Sequence, residues 1–350
     1  MPTHDIVVIG ASAGGIEALI DFVAHLPPQL PAALFVVVHI PAQAHSALPH
    51  ILMNAGSLPA HAATDGMAIL PGHIYVAPPD YHLLVVPDQM RVVRGPREHS
   101  CRPAIDPLFR TAALAFGPRV VGIVLSGALN DGTAGLLAIK QQGGIAMVQD
   151  PETALFPSMP QSALSYVAVD WCLKVPDLSA KVTQLAEESI SMPEEIVPVS
   201  RELKFEAKIA GLDPTVLDQE DRPGILSAFS CPDCSGPLWE HHDGPLHRFR
   251  CRVGHAFTLE TMMAGREENI ETTLWMVLNA LDETAQMYTR LAASTLARHQ
   301  DNVAQTLSAK AHRFQERAHQ VREMLLATDD RVLPEVPLVH DGPRATGREA

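Results

Sequence analysis

The first 190 residues alternate between two patterns of apolar residues. Short runs rich in Val and Ile predict buried parallel strands, because such strands contact apolar neighbours on both faces. These runs are residues 6–9, 34–39, 120–125 and 145–148. The helix-spaced segments between them are residues 16–26, 105–116 and 134–142. Strands that alternate with helices predict right-handed crossovers and an α/β fold with a doubly wound, mostly parallel sheet.

Residues 73–94 interrupt this alternation. Apolar and polar positions alternate there with a period of two, and turn signals rich in Pro and Asp occur at 78–80 and 87–88. The segment predicts an antiparallel insertion at the edge of the sheet. A helical pattern around residues 176–191 then ends the first domain, which we place at residues 1–191.

Four shorter regions follow the first domain. We predict a linker rich in Pro, Glu and Asp, a zinc-ribbon-like module rich in Cys and His, a helical hairpin and a flexible tail. Their bounds are residues 192–228, 229–260, 261–330 and 331–350, in that order. A short helix is expected in the linker near residues 201–210, and the hairpin is expected to turn near residues 296–301.

Composition limits the functions open to this chain. Its 350 residues carry a formal net charge of -14, whereas a nucleic-acid-binding surface is usually basic. The N-terminus lacks the basic segment of a signal peptide, and no stretch approaches the ~18 apolar residues of a membrane span. We therefore expect a cytoplasmic protein that neither binds nucleic acid nor inserts into a membrane.

A turn between the first strand and the first helix carries a candidate nucleophile. The spacing Gly10-x-Ser12-x-Gly14 is that of a nucleophile elbow, in which small residues let a serine expose its hydroxyl at a tight turn. Glycine-rich turns of this kind more often hold a phosphate or a dinucleotide. A dinucleotide loop, however, needs the spacing Gly-x-Gly-x-x-Gly and an acidic residue at the end of the second strand, and both are absent here.

Two further candidates lie at the ends of other strands. His39 ends the strand that follows the first helix, and Asp131 lies in the loop after the strand at 120–125. Taken alone, His39 could be structural, and Asp131 could cap the helix that follows it. Because the carboxyl ends of parallel strands meet at one edge of a sheet, we expect both to lie near Ser12 and to form a Ser–His–Asp triad. The chain order Ser, His, Asp differs from the Ser, Asp, His order of the α/β-hydrolases.

Six blocks of sequence, in order, resemble the catalytic domain of the chemotaxis protein-glutamate methylesterases, the CheB family. They are IGASAGG, VVVHIP, DGMAILPGHIYVAPPDYHLLV, RPAIDPLFRTAA, SGALNDGTAG and QDPETALFPSMPQSAL, and they cover roughly residues 5–190. The resemblance implies that Ser12, His39 and Asp131 are the triad. It also implies a glutamate γ-methyl ester on a methylated chemoreceptor-type protein as the substrate, with glutamine deamidation as a second activity and no cofactor for catalysis.

The chain departs from the family pattern in two loops. The family usually has Gly-Met-Gly where this chain has Gly127-Ala128-Leu129, and usually has Thr where this chain has Ala13. In the family these positions act through the main chain, so the resemblance implies that the N–H groups of Ala13 and Ala128 bind the oxyanion. Typical members also carry an N-terminal phospho-receiver domain. We expect a stand-alone form here, controlled by a partner or by its C-terminal region, or constitutively active.

The module at 229–260 carries four candidate metal ligands. Two residues separate Cys231 from Cys234, sixteen separate Cys234 from Cys251, and three separate Cys251 from His255. Four such ligands in two pairs suit a tetrahedral structural zinc, with all coordination positions taken by protein. His241, His242 and His247 lie between the pairs and are competing ligands.

The leading hypothesis is a serine esterase acting on methylated chemoreceptor-type proteins. A non-catalytic signalling adapter that keeps this fold is the alternative, and a nucleotide-binding regulator is a third. The C-terminal module and the helices beyond it could serve as a docking surface for a signalling partner.

Overall fold

A computed structural model of the chain describes residues 2–44, 46–190, 198–217, 222–243 and 246–327. The chain divides into two compact units, Met1–Arg266 and Glu267–Ala350. The predicted tail at 331–350 lies outside the described residues, as do parts of the predicted linker.

Residues 2–190 form a layered α/β domain. Its strands are β1 (Ile6–Ala11), β2 (Ala33–Val38), β3 (Ala60–Ala62), β4 (Ile74–Val76), β5 (His82–Val86), β6 (Gln89–Val93), β7 (Val120–Val124), β8 (Ile145–Gln149) and β9 (Trp171–Leu173). Its helices are α1 (Gly15–Ala24), α2 (Leu48–Ala55), α3 (Ile105–Phe116), α4 (Thr133–Gln141), α5 (Ser158–Tyr166) and α6 (Val175–Glu187). Seven of these strands form one sheet in the order β3-β4-β2-β1-β7-β8-β9, and the pairs within it are parallel.

Both faces of this sheet are covered, which explains why its central strands are apolar throughout. Along β1, Val7 and Ile9 belong to one apolar core and Ile6 and Val8 belong to another. Helices α1 and α6 contribute to the first core, and α3, α4 and α5 to the second. The predicted doubly wound, mostly parallel sheet is confirmed.

The predicted antiparallel insertion is present as the hairpin of β5 and β6, which forms a sheet of its own. Leu83, Val85 and Met90 of this hairpin pack into the same core as α3. The first part of the insertion behaves differently, because β4 pairs in parallel with β2 and β3. All residues of β4 are buried, as in the other parallel strands of the main sheet.

A second, smaller sheet follows in the same compact unit. After α7 (Arg201–Ala210) and α8 (Pro214–Leu217) come β10 (Ile225–Ser230), β11 (Pro237–Asp243), β12 (Leu246–Cys251) and β13 (Ala256–Thr258), which pair antiparallel in chain order. Helix α7 occupies the segment where a short helix was expected. Its N-cap is Ser200, whose side chain accepts a hydrogen bond from the N–H of Leu203.

Two long helices complete the described chain, α9 (Leu259–Leu296) and α10 (Asp301–Ala327), with the break near the predicted position. Within the second unit, the ring of Tyr288 stacks on that of Phe314 at 5.6 Å, and Arg322 pairs with Asp282 at 3.0 Å. Among the described helices, none is long and apolar enough to cross a bilayer.

Candidate active site

Ser12 lies in the tight turn between β1 and α1. Gly14 takes a φ of +68°, which glycine adopts without strain, so the chain can turn within three residues. The N–H of Ser12 donates to the carbonyl of Ser126 at 3.0 Å, which ties the turn to the end of β7. Gly127 approaches so closely that a Cβ there would lie 2.9 Å from the Cβ of Ser12. Residues 127 and 128 must therefore be close neighbours of the nucleophile.

His39 follows β2 and lies beside Ser12. Its N–H donates to the carbonyl of Ala11 at 3.3 Å, so the parallel pairing of β1 and β2 extends to the histidine. Its Nδ1 atom lies 3.1 Å from Oγ of Ser12, and its Nε2 atom lies 2.7 Å from Oδ2 of Asp131. The structure thus brings the three predicted side chains together in the order Ser12, His39, Asp131.

Asp131 is buried, with 1% of its side chain exposed. Its Oδ2 accepts the N–H of Ile105 at 2.7 Å and its Oδ1 accepts the N–H of Asp106 at 3.1 Å, both in the first turn of α3. The alternative that Asp131 caps the following helix is not what the structure has, because the N-cap of α4 is Gly132 and makes no side-chain cap bond. The free N–H groups of α3 instead hold the carboxylate that faces His39.

The charges of this cluster stabilise one another. Burial disfavours a charged imidazole, but the hydrogen bonds and charges of Asp131 and Cys101 together outweigh it and raise the pKa of His39 to about 10. Burial likewise opposes ionisation of Asp131, yet the charge of His99 and the hydrogen bond with His39 hold the pKa of Asp131 well below its usual range. The carboxylate is therefore ionised throughout the physiological pH range.

The two expected oxyanion donors flank the nucleophile. Within the described chain, neither the N–H of Ala13 nor that of Ala128 has a hydrogen-bond acceptor in the protein. The carbonyl of Ala13 accepts the hydroxyl of Ser126 at 2.8 Å, and that hydroxyl accepts the N–H of Phe156 at 3.0 Å. Sequence analysis did not single out Ser126, whose hydroxyl holds the Ala13 carbonyl of the elbow in place.

His99 is a second residue that sequence reasoning missed. It is buried, with Nε2 at 3.0 Å from Oδ2 of Asp106 and 3.6 Å from Oδ1 of Asp131. Burial opposes its charged form, but the carboxylates of Asp131 and Asp106 raise the pKa of His99. Its only signal in the sequence is its position shortly before the block RPAID, and spacing alone does not place it beside Asp131.

The four predicted metal ligands also lie together. Their ligand atoms all fall within 4.8 Å of one another. The sulfurs of Cys234 and Cys251 are 3.7 Å apart, and Sγ of Cys231 is 3.6 Å from Nδ1 of His255. A tetrahedral zinc with Zn–S bonds of about 2.3 Å and Zn–N bonds of about 2.0–2.1 Å would separate these pairs by roughly 3.8 and 3.6 Å, so the residues fit the ion.

Two of the three competing histidines, His242 and His247, lie in a different cluster, and His241 belongs to neither cluster of described residues. On the hairpin of β11 and β12, Glu240 Oε1 is 2.9 Å from Nδ1 of His247 and 3.5 Å from Nε2 of His242. The backbone N–H of His255 donates to the sulfur of Cys251 at 3.2 Å. This hydrogen bond favours the thiolate form of Cys251. It supports the predicted ligand set, the pair Cys231 and Cys234 with the pair Cys251 and His255, over a set that includes His242 or His247.

The family match falls within the α/β domain of residues 2–190. The family model of the CheB methylesterase matches residues 7–182. A protein-glutamate methylesterase/protein-glutamine glutaminase of Xanthomonas euvesicatoria is 39% identical over 165 residues, which are 46% of this chain and 46% of that enzyme. A Leptospira interrogans protein with the same two activities in its name is 36% identical over 188 residues, which are 53% of this chain and 97% of the relative.

A solved structure of the same family also matches this chain. The crystal structure of the Thermotoga maritima CheB methylesterase catalytic domain superposes with a TM-score of 0.51 at 30% sequence identity. The superposition covers 53% of this chain and 99% of that domain. The small sheet of β10–β13 begins beyond residue 182, where the family model ends.

The fold and the site together define an α/β protein with a Ser–His–Asp cluster at the carboxyl edge of a parallel sheet. The chain belongs to the CheB methylesterase family, and it is a hydrolase of that type.

Proposed function

We propose that this protein hydrolyses glutamate γ-methyl esters on chemoreceptor-type signalling proteins, with Ser12 as the nucleophile. The observation that carries the proposal is the unbroken series of hydrogen bonds from Ser12 through His39 to Asp131. The matched relatives are named for methylesterase and glutaminase activities, so glutamine deamidation is a second reaction of the same site.

In the first step, Nδ1 of His39 takes the proton of the Ser12 hydroxyl as Oγ attacks the ester carbonyl. The negative charge that forms on the carbonyl oxygen accepts hydrogen bonds from the N–H groups of Ala13 and Ala128. One such donor typically contributes about 3–4 kcal/mol of transition-state stabilisation. His39 then donates its proton to the departing methoxide. Methanol is released, and an acyl-enzyme remains.

In the second step, His39 removes a proton from water as the water attacks the acyl carbonyl. His39 then returns this proton to Oγ of Ser12 as the acyl bond breaks, and the released glutamate side chain ionises to the carboxylate. Asp131 keeps the His39 proton on Nε2 and stabilises the imidazolium in both steps. Because the first turn of α3 donates two N–H groups to Asp131, this carboxylate needs no reorganisation during the reaction.

The surroundings of Ser12 suit a substrate carried by a protein. Three large apolar side chains on neighbouring loops are exposed, with exposed fractions of 39% for Leu129, 70% for Leu155 and 43% for Phe156. Apolar groups that border a reactive centre are typical of a surface that another protein covers. A methyl ester has no charge, so these side chains favour it over the glutamate product.

We also propose that Cys231, Cys234, Cys251 and His255 hold a structural zinc ion. All four positions of a tetrahedral ion are taken by protein, so the ion has no open position for substrate. The module that it would stabilise has a small apolar core, which consists of Cys231, Cys251, Leu238, Phe249, Phe257 and Met262. Metal binding supplies folding free energy that so small a core lacks.

The test of the esterase is covalent labelling with a fluorophosphonate probe, which reacts with activated serines. Wild-type protein should be labelled, Ser12→Ala should not, and His39→Ala should be slower by several orders of magnitude. Ser165→Ala, a change at an exposed helical serine, is the matched control and should label like wild type. Methanol release from a methylated receptor fragment then tests the substrate.

A folded wild-type protein that resists the probe would contradict the proposed triad. It would favour the signalling adapter, which keeps the fold without the reaction.

A further inference from the structure

Two loops that border Asp131 are held by a part of the chain outside the matched family domain. We refer to β10–β13 and the first two turns of α9, up to Arg266, as the C-terminal module; it belongs to the same compact unit as the main sheet. One of the two loops, residues 127–132, carries Asp131. The other, residues 97–102, carries His99, which faces Asp131.

The module contacts the first loop through Asn130, the residue next to Asp131. Asn130 is buried, with 3% of its surface exposed. Its Oδ1 accepts the hydroxyl of Thr258 at 2.8 Å, and its Nδ2 donates to Oε2 of Glu260 at 2.8 Å. Both polar ends of this side chain are therefore satisfied by the module.

The module contacts the second loop through the backbone of His99 and the side chain of Ser100. The N–H of His99 donates to the carbonyl of Ala256 at 2.7 Å, and the hydroxyl of Ser100 donates to Oδ1 of Asp233 at 2.9 Å. His99 and Ser100 have φ values of +54° and +57°, a strained conformation for residues other than glycine. The contacts with the module hold the loop in this conformation.

One turn of the module joins the two loops. The hydroxyl of Thr261 lies 3.0 Å from Nδ1 of His99 and accepts the N–H of Thr258 at 2.9 Å. Thr258 and Thr261 cap the start of α9, and the same two hydroxyl groups reach Asn130 and His99. A displacement of this turn would therefore move both Asn130 and His99, the two residues that border Asp131.

Buried ion pairs fix the module to α3. Arg110 pairs with Glu98 at 2.6 Å, and Arg250 of β12 pairs with Glu98 at 3.0 Å and also with Glu206. These side chains are almost fully buried, so removing one partner would leave an uncompensated charge. The module is thus docked firmly, and the Thr258 turn has a defined position relative to the main sheet.

We propose that Thr258 is a positioning residue for the reaction, acting through Asn130 on Asp131. The proposal rests on the Ser12–His39–Asp131 triad proposed above. The C-terminal module would then help to position Asp131, although no atom of Thr258 reaches the reacting groups. The loop needs such support, because Leu129 beside Asn130 has a φ of +64°.

Loss of the Thr258 hydroxyl would leave Oδ1 of Asn130 buried without its donor, and the loop would move to hydrate it. Asp131 would then lose its alignment with His39. The effect should fall on the chemical step and not on binding, since Thr258 is buried and touches no exposed part of the site.

The experiment measures labelling by the fluorophosphonate probe as a function of probe concentration in the full-length protein. Thr258→Val should lower the limiting rate of labelling about ten-fold while the concentration at half-saturation stays unchanged. Thr258→Ser, which keeps the hydroxyl, should restore the rate. Thr273→Val, the same change at an exposed position of α9, is the matched control and should leave the rate unchanged.

A second variant keeps the test open if Thr258→Val does not fold. Glu260 is exposed, so Glu260→Ala should fold, and it removes the acceptor of Asn130 Nδ2. It should slow labelling about three-fold. Tyr166→Phe controls for the other contact of Glu260, with the Tyr166 hydroxyl at 3.4 Å, and should leave the rate unchanged.

A folded Thr258→Val protein that is labelled at the wild-type rate would overturn the positioning role while leaving the triad intact. Equal slowing by Thr258→Val and Thr258→Ser would also overturn it, because the hydroxyl would then not matter. Failure of wild type itself to react with the probe overturns the triad, and the positioning role with it.

Discussion

The Nε2 atom of His39 lies 2.7 Å from the Oδ2 atom of Asp131, and this leaves Nδ1 to face the nucleophile. In the chymotrypsin arrangement the two nitrogens have the opposite roles. The difference follows from the strand on which the histidine lies. His39 directly follows β2, beside the elbow, so the nitrogen nearer its backbone reaches Ser12, while the far nitrogen spans the edge of the sheet to the loop after β7.

The first prediction concerns pH. His39 must be neutral to accept the Ser12 proton, and its pKa is raised from 6.5 to about 10, so reactivity should rise with pH through that range. In Asp131→Asn the carboxylate that raises the pKa is absent. The midpoint should then fall, because Asp131 no longer opposes the burial that disfavours the imidazolium of His39. The limiting rate should drop by about 10³–10⁴-fold.

The measurement is the rate of Ser12 labelling by the fluorophosphonate between about pH 5 and about pH 11. The control is His25→Asn, because His25 is an exposed histidine that contacts only its own helix. An unchanged midpoint in Asp131→Asn would mean that the carboxylate does not act on the titration of His39.

The second prediction concerns the metal. Purified protein should contain about one zinc ion per chain, and Cys234→Ser should lose it, because three ligands bind the ion far more weakly than four. Loss of the ion should open β10–β13 to proteolysis, since its core is built around Cys231 and Cys251. Cys172→Ser, at an exposed thiol outside the cluster, should keep the ion.

Mass spectrometry measures the zinc content, and limited proteolysis separately measures how far β10–β13 has opened. His247→Ala should also keep the ion, since this histidine pairs with Glu240 and not with the four ligands. Zinc lost in His247→Ala and retained in Cys234→Ser would assign the ion to the other cluster.

Much of this architecture could be predicted from the sequence because its causes are local. Val-rich strands that are buried on both faces, and helices of regular period between them, are visible as patterns, and they place Ser12, His39 and Asp131 at one edge. The support of Asp131 is different. Thr258 contacts Asn130 across 128 residues of chain, and Thr258 lies outside the six blocks that resemble the family. Hydrogen bonds between distant polar side chains leave no periodic signal.

The same limit applies to β4 and to the role of Asp131. The alternating pattern of residues 73–94 groups residues 74–76 with the hairpin. In the structure they join the main sheet because they pair with β2 and β3. Asp131 stands just before a helix, which suggests a cap. Its actual donors belong to α3, about 25 residues earlier, and only the folded chain brings them near.

The third prediction concerns acid stability. Burial opposes ionisation of Glu98 and Glu206. The charges of Arg110 and Arg250 nevertheless lower the pKa of Glu98 to about 2, and neighbouring arginines hold the pKa of Glu206 well below its usual range. These carboxylates contribute stability above their unfolded pKa of about 4.3, and the contribution is lost as pH falls toward about 2. The free energy of unfolding should therefore decline steeply across this window.

Glu98→Gln should remove part of that slope and should cost about 3–5 kcal/mol at neutral pH, because Arg110 and Arg250 would lose a buried partner. Urea unfolding at several pH values measures both effects. Glu316→Gln, at an exposed position of α10, is the control and should change neither. A slope that Glu98→Gln leaves unaltered would mean that other carboxylates cause the acid unfolding.

The fourth prediction concerns the loop that carries Asp131. Leu129 has a φ of +64° and is 39% exposed, so it bears backbone strain and is only partly buried. Leu129→Gly should relieve about 1 kcal/mol of strain and raise the Tm by about 2–4 °C. Leu212 is the matched control, since it has a φ of +57°, is 42% exposed and lies far along the chain from the triad.

Both glycine variants should raise the Tm in a calorimetric scan, and neither should slow the labelling of Ser12, because Asn130 keeps its bonds to Thr258 and Glu260 in each. The comparison separates two roles of Leu129. If Leu129→Gly alone slows labelling while both variants gain stability, the strained leucine itself holds Ala128 in place for the oxyanion. The loop would then depend on its side chain as well as on the C-terminal module.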